Sequence, residues 1–196
     1  MPVNSDIFLQ QLRQQIIEVR TAVETRFSGK NDASLQLAPA PGKWSAIQCL
    51  EHLNTYGRYY LPALERAIEQ ALKNGDKATP RFRSGWLGAK FTKMMQPQEN
   101  GMPATKMQSP RGYRPALNLP VAPVLAEFIE QQRKMEALLV KAGSVNLMRS
   151  KVATTLSRFI RMSVGDTFGF MTAHIRRHVA QAERALAAAS EHTVSV

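Results

Sequence analysis

The sequence is poor in the residues that staple, anchor or export a small protein. Its 196 residues contain one cysteine, Cys49, so no internal disulfide can form and a reducing, cytoplasmic setting is expected. No apolar run reaches the roughly eighteen residues that span a bilayer, so no membrane partner is expected. The opening MPVNSDIFLQQLR lacks the basic and apolar regions of a secretory leader. Histidine is scarce at four, and repeats and low-complexity stretches are missing. Acids are scarce as well: 15 Asp and Glu stand against 26 Lys and Arg, a formal net charge of +11.

Such an excess of cations invites a nucleic-acid reading. It is unevenly spread, with nine Lys or Arg between Lys73 and Arg114 against only Asp76 and Glu99. Basic and aromatic residues alternate there, in RFRSGW and RGYR, as in stacking-based binders. No helix-turn-helix, zinc-finger or RNP-type signature accompanies them. Nucleic acid is therefore the unlikely partner, and a surface for small anionic ligands, or one that is merely solvated, is preferred.

What the chain does have is helical periodicity. Its 44% hydrophobic and 21% charged residues are ordinary for a globular domain, and the length suits one domain over 1–196. Residues 5–28 carry Ile7 or Phe8, Leu12, Ile16, Val19, Val23 and Phe27 at spacings of three and four, with Ser5 as N-cap and Gly29 as stop. Ser45-Ala46-Ile47-Gln48 reads as a capping box. It opens a second stripe of Ile47, Leu50, Leu53, Tyr60 or Leu61, Leu64, Ile68 and Leu72, closed by Asn74-Gly75. Cys49, His52, Tyr56 and Tyr59 run along its edge, and Pro62 predicts a kink or break. A third helix is expected from Pro120 to Gly143, with Val124, Leu125, Phe128, Ile129, Met135, Leu138 and Leu139 inward. A fourth starts at Ser163, with Asp166 at its third position and Val164, Phe168, Met171, Ile175, Ala182 and Leu186 inward. Residues 74–120 read as irregular with one short helix at GAKFTKMM, and Phe82, Trp86, Met94 and Met95 are expected to lie back on the helices. Residues 144–162 give no clear assignment. The sum is an all-α four-helix bundle with a long irregular, basic connection between helices two and three.

Two of the four histidines fall in AHIRRHVAQ. His174 and His178, four apart, leave one face of a helix with Cβ atoms about 6 Å apart, close enough to share a divalent ion. His52, from a facing helix, would complete three ligands and leave positions open, the catalytic rather than the structural pattern. Each residue has a bland alternative: a hydrogen-bonded helix histidine for His52, polar capping for His178, a solvated face for Arg176 and Arg177. Cys49 is either a fourth ligand or nucleophile, or more readily a buried inert thiol. Tyr56 either orients a ligand or packs.

Lys43-Trp44-Ser45, followed by Cys49-Leu50-Glu51-His52-Leu53 and later AHIRRHVAQ, resembles the DinB-like superfamily. The segment Lys106-Met107-Gln108-Ser109-Pro110-Arg111-Gly112-Tyr113-Arg114-Pro115 is similar to that family's basic, proline-bracketed stretch before helix three. The resemblance implies a four-helix bundle holding a metal ion, zinc or nickel, on His52, His174 and His178. Arg177 and Gln181 fall where family members often carry similar residues, and with Tyr56 they are the pocket candidates. The activities implied are those of metal-dependent transferases and isomerases that use low-molecular-weight thiols such as bacillithiol or mycothiol, or of metal-dependent hydrolases. For this chain the expectation is a metal-activated thiol or water attacking a small, anionic or electrophilic substrate, with Arg177, Arg111 or Arg114 pairing to carboxylates. No residue stands out as general base, because Glu51 points about 100° away from His52 around the helix and Asp166 is better used as a cap. Two other readings stay open. One is a non-enzymatic, stress-associated binding protein whose basic surface contacts nucleic acid or a protein partner. The other is a dimeric scaffold with its histidines on different faces; a homodimer is compatible with any of the three.

Overall fold

The computed structural model describes residues 1–96 and 109–194. The described chain is mostly helical, and its first strand, β1 (Val3–Asn4), runs directly into helix α1 (Ser5–Arg26). Asn4, not Ser5, is the N-cap of α1: its side chain accepts from the Ile7 amide at 3.0 Å. Ser5 donates its own amide to the Pro80 carbonyl instead. Helix α2 (Asp32–Gln36) is a short piece capped by Asn31.

Helix α3 (Ala46–Lys73) opens on the capping box, with Ser45 and Gln48 exchanging both hydrogen bonds. It runs through Pro62 without interruption. The Arg58 carbonyl that proline leaves without a donor belongs to an exposed residue, where water can take its place. The helix stops at Asn74-Gly75. Gly75 takes a φ of +70°, its amide reaches Leu72, and the Asp76 amide reaches Ala71. This is a Schellman closure, which needs a residue without Cβ strain.

Strand β2 (Arg81–Phe82) pairs antiparallel with β1, and α4 (Trp86–Met95) follows. The short helix expected at GAKFTKMM is therefore present, two residues longer at its start. Phe82 is buried and Met95 packs on the core, as expected. Trp86 does not: it is 76% exposed, with Lys90 Nζ 5.3 Å from its ring centre. At the first helical position its side chain points away from the face α4 turns to the core.

Helix α5 (Val121–Ala142) matches the third expected helix. The unassigned connection after it is a hairpin of β3 (Lys151–Thr154) and β4 (Ser157–Ser163), antiparallel, with a register shift at Ala153/Thr154. Its β-branched residues fit strands better than helix. Helix α6 (Val164–Val194) then begins with Ser163 as its cap, accepting from the Asp166 amide at 3.1 Å. The strands are short additions to the expected all-helical layout.

The core lies among four long helices: α1 packs on α5 and α6, and α3 packs on the same two. Ile16 and Val23 of α1 and its C-cap Phe27 join Leu50, Leu64 and Ile68 of α3, Phe128 and Met135 of α5 and Phe168 and Met171 of α6 in one cluster. Each fully buried aliphatic or aromatic side chain of this kind contributes about 1.5–3 kcal/mol of transfer free energy. Leu72 falls at the fraying end of its stripe and is 38% exposed. Among the described residues no helix is long and apolar enough to cross a membrane.

Candidate metal centre

The histidines of α3 and α6 meet where these two helices pack. The ring centres of His52 and His174 are 5.1 Å apart, those of His52 and His178 4.6 Å, and those of His174 and His178 4.8 Å. One ligand nitrogen from each lies within 4.8 Å of the others. His52 and His174 are buried and His178 is half-buried.

Hydrogen bonds fix which nitrogens face inward. His52 Nδ1 donates to the Tyr113 carbonyl at 2.7 Å. A carbonyl only accepts, so the proton is on Nδ1 and Nε2 keeps its lone pair. His178 Nδ1 donates to the Gln181 Oε1 at 3.0 Å, one turn along α6, which likewise leaves Nε2 as an acceptor. His174 Nε2 faces His52 Nε2 at 3.2 Å, while its Nδ1 is buried with no partner. A ring whose far-side N–H is held by an acceptor keeps its other nitrogen unprotonated, which is the arrangement in which imidazole ligates a metal.

The donor set fits a small divalent ion. Nitrogens each about 2.0–2.1 Å from a tetrahedral zinc stand roughly 3.4 Å apart, close to the 3.2 Å between His52 and His174. Charge agrees with geometry. Burial pushes the pKa of His52 down, partly offset by its bond to Tyr113. His174 is held well below its ordinary value by burial, then by His178, His52 and Arg177. His178 is held well below by burial, then by His52 and Arg177, with Gln181 opposing. Desolvation thus keeps the rings neutral, the form that binds metals.

Aromatic rings enclose the group. Trp44 lies 4.9 Å from His52 and 5.9 Å from His178, Tyr56 is 4.5 Å from His174, and Phe170 stacks on His174 at 5.7 Å and 9°. Tyr56 is nearly buried, and burial pushes its phenol up to about 12, so it stays a protonated wall. Gln181 supports His178 rather than facing the centre alone.

Arg177 lies close enough to the centre to lower the pKa of His174 and His178. It is 9% exposed and donates from Nη1 to the Met94 carbonyl at 2.9 Å, in the last turn of α4. Its guanidinium thereby closes the negative end of α4. Arg114 donates from Nε to the Ser109 carbonyl. The side chains of Arg111 and His192, and residues 106–108 of the basic stretch, lie outside the described residues.

The remaining candidates are accounted for by packing and ion pairs. Cys49 is buried and its thiol is pushed up to about 12 by desolvation, so it is the inert thiol rather than a ligand. Glu51 accepts two hydrogen bonds from Arg58, which also pairs with Glu127. Asp166 accepts from Ser84, Gly85 and Ser163. The group of three histidines contains no carboxylate. Sequence reasoning missed Tyr113, because its main-chain carbonyl does the work and any residue there has one. It also missed Phe170, which reads as ordinary core.

A mostly helical protein with three convergent, neutral, buried imidazoles on two packed helices is of a class able to bind metal. Residues 15–182 match the family described as the DinB superfamily, and the chain belongs to it. Neither the curated proteins nor the solved structures give a match.

Proposed function

We propose that this chain is a four-helix-bundle metalloprotein in which His52, His174 and His178 hold one divalent ion, zinc or nickel, and that it is a transferase or hydrolase acting on a small substrate. The observation that supports this best is the pairing of the rings: His52 and His178 each donate from Nδ1, which leaves Nε2 unprotonated, His52 Nε2 faces His174, and one ligand nitrogen of each ring lies within 4.8 Å of the others. When bound, such an ion supplies a Lewis acid and lowers the pKa of a coordinated thiol or water. The chain's own residues do the rest. Tyr113 and Gln181 hold two rings in register, Trp44, Tyr56 and Phe170 exclude bulk water, and the half-buried side at His178 admits a small molecule. With three donors and no carboxylate among the described residues, the coordination sphere keeps room for a thiol, water or substrate.

Metal analysis of purified protein, followed by panels of thiols and electrophilic acceptors, tests the reading. About one zinc or nickel per chain is expected, falling at least tenfold in His178→Ala with the fold retained. Protein that takes up no divalent ion after incubation with zinc or nickel sinks it.

A further inference from the structure

Beyond the histidine centre, one face of the molecule is built from α4 and the β3–β4 hairpin, which touch each other. Along β4 the hairpin is uncovered on both sides from Arg158 to Arg161. Arg158, Phe159, Ile160 and Arg161 are four consecutive exposed residues of β4, although a strand packed on one face alternates. Phe159 is 80% exposed, Leu156 59% and Ile160 36%, and Trp86 at the start of α4 is 76% exposed. Isolated exposed apolar residues are unremarkable, but several on one hairpin and the helix it touches mark a contact surface.

The charge around this cluster has one sign. Arg158, Arg161 and Lys151 are exposed on the hairpin, and Arg83, Lys90 and Lys93 on or beside α4. None of these six has an ion pair among the described residues. Between Glu136 and Asp166 the sequence contains no acid, and Asp166 is buried beneath α4. Two of the cations rest on the exposed rings, Lys90 on Trp86 and Arg158 4.9 Å from Phe159.

We propose that this face docks peripherally on an anionic lipid bilayer, with Leu156, Phe159, Ile160 and Trp86 entering the headgroup region and the cations pairing with lipid phosphates. Aromatic and aliphatic side chains ringed by Lys and Arg are the composition that binds at such interfaces. A second copy is a poor occupant, because it would set the same cations against one another on a chain of net charge +11. Single-stranded nucleic acid would use the rings and the cations, but it leaves Leu156 and Ile160 without a role. Docking would also place the lipid beside the histidine centre: Thr155 at the hairpin turn donates its amide to Tyr60 Oη at 3.1 Å, and Tyr56, one turn before Tyr60, packs on His174.

Co-sedimentation of the full chain with vesicles tests this. Binding is expected to vesicles of equal phosphatidylcholine and phosphatidylglycerol, at least tenfold stronger than to phosphatidylcholine alone, and weakening with salt. Phe159→Ser with Ile160→Ser should reduce it at least tenfold, as should Arg158→Glu with Arg161→Glu; all four positions are exposed, and unchanged melting temperatures verify the fold. No preference for the anionic vesicles overturns the proposal, as does full affinity in the Phe159/Ile160 variant. So does tighter binding of a single-stranded oligonucleotide that is lost with Phe159→Ser, which assigns the face to nucleic acid. None of these readouts depends on metal, so this result and that of the metal assay are separable.

Discussion

Two of the buried polar groups of helix α6, Asp166 and His174, are treated in opposite ways. At its first turn, Asp166 is 5% exposed and every neighbour serves it: Ser84 Oγ donates at 2.5 Å, Ser163 Oγ at 2.6 Å, and the Gly85 amide at 3.2 Å. Two turns on, His174 is also buried, yet its Nδ1 has no partner and its Nε2 meets only the Nε2 of His52. A satisfied buried group is architecture. An unsatisfied one is a cost that the fold retains, and such groups concentrate where a ligand completes them.

The two places are joined by α4. Its positive end rests on Asp166 and its negative end on Arg177, eleven residues further along α6. Eleven residues of helix rise about 16.5 Å, close to the roughly 15 Å length of the ten-residue α4. One helix thus presents an acid and a base at the spacing that complements the dipole of its neighbour. The histidine centre is walled partly by this strap, through Phe91 and Phe170.

Breaking the satisfied end should have the largest effect on stability. Asp166→Ala leaves two hydroxyls and an amide without their acceptor and is expected to cost about 3 kcal/mol. That is a fall of roughly 6–12 °C in melting temperature for a chain of this size. A shift under 2 °C would show that the clasp is not what holds α4. Gly88→Ala attacks the same contact sterically, since an added Cβ would stand 2.2 Å from the Asp166 Cγ and 2.4 Å from its Cβ. About 2 kcal/mol is expected, read from chemical denaturation.

At the unsatisfied end the expected effects fall on ligand binding instead. Gln181→Ala removes the acceptor that orients His178. It should weaken zinc affinity roughly tenfold or more, measured by competition with a chelator, with little change in metal-free stability. Equal losses in affinity and metal-free stability would erase the contrast between the two places.

The last effect is expected at Cys49 and only at alkaline pH, because burial raises the thiol from 9.0 to about 12. The unfolded thiol ionises near its ordinary value and the folded one does not. Its contribution is therefore complete below pH 9 and is lost as pH rises from there toward 12. Between pH 9 and 11 the wild type should lose stability relative to Cys49→Ala. In the native state the thiol should also resist alkylation until unfolding exposes it.

The helices were readable because each buries one stripe, and a stripe recurs in the sequence every three or four residues. Ser45 and Gln48 announced their capping box, and Gly75 its stop, through chemistry confined to neighbouring residues. The spacing of His174 and His178 placed two rings on one face by the same local geometry. The hairpin after α5 was not readable, because its four consecutive exposed residues carry no alternation. Trp86 was misplaced because periodicity cannot orient a side chain in a first turn.

The sequence by itself determined the long helices, their inward faces and the pairing of two histidines along α6, since all of these depend on contacts within a turn or two. Only the tertiary structure decided that His52 meets them, that the Tyr113 carbonyl orders its ring, and that Arg177 serves α4. Those outcomes depend on groups 60 to 120 residues apart along the chain. Pairings at that distance are set by how whole helices pack, which no local pattern records.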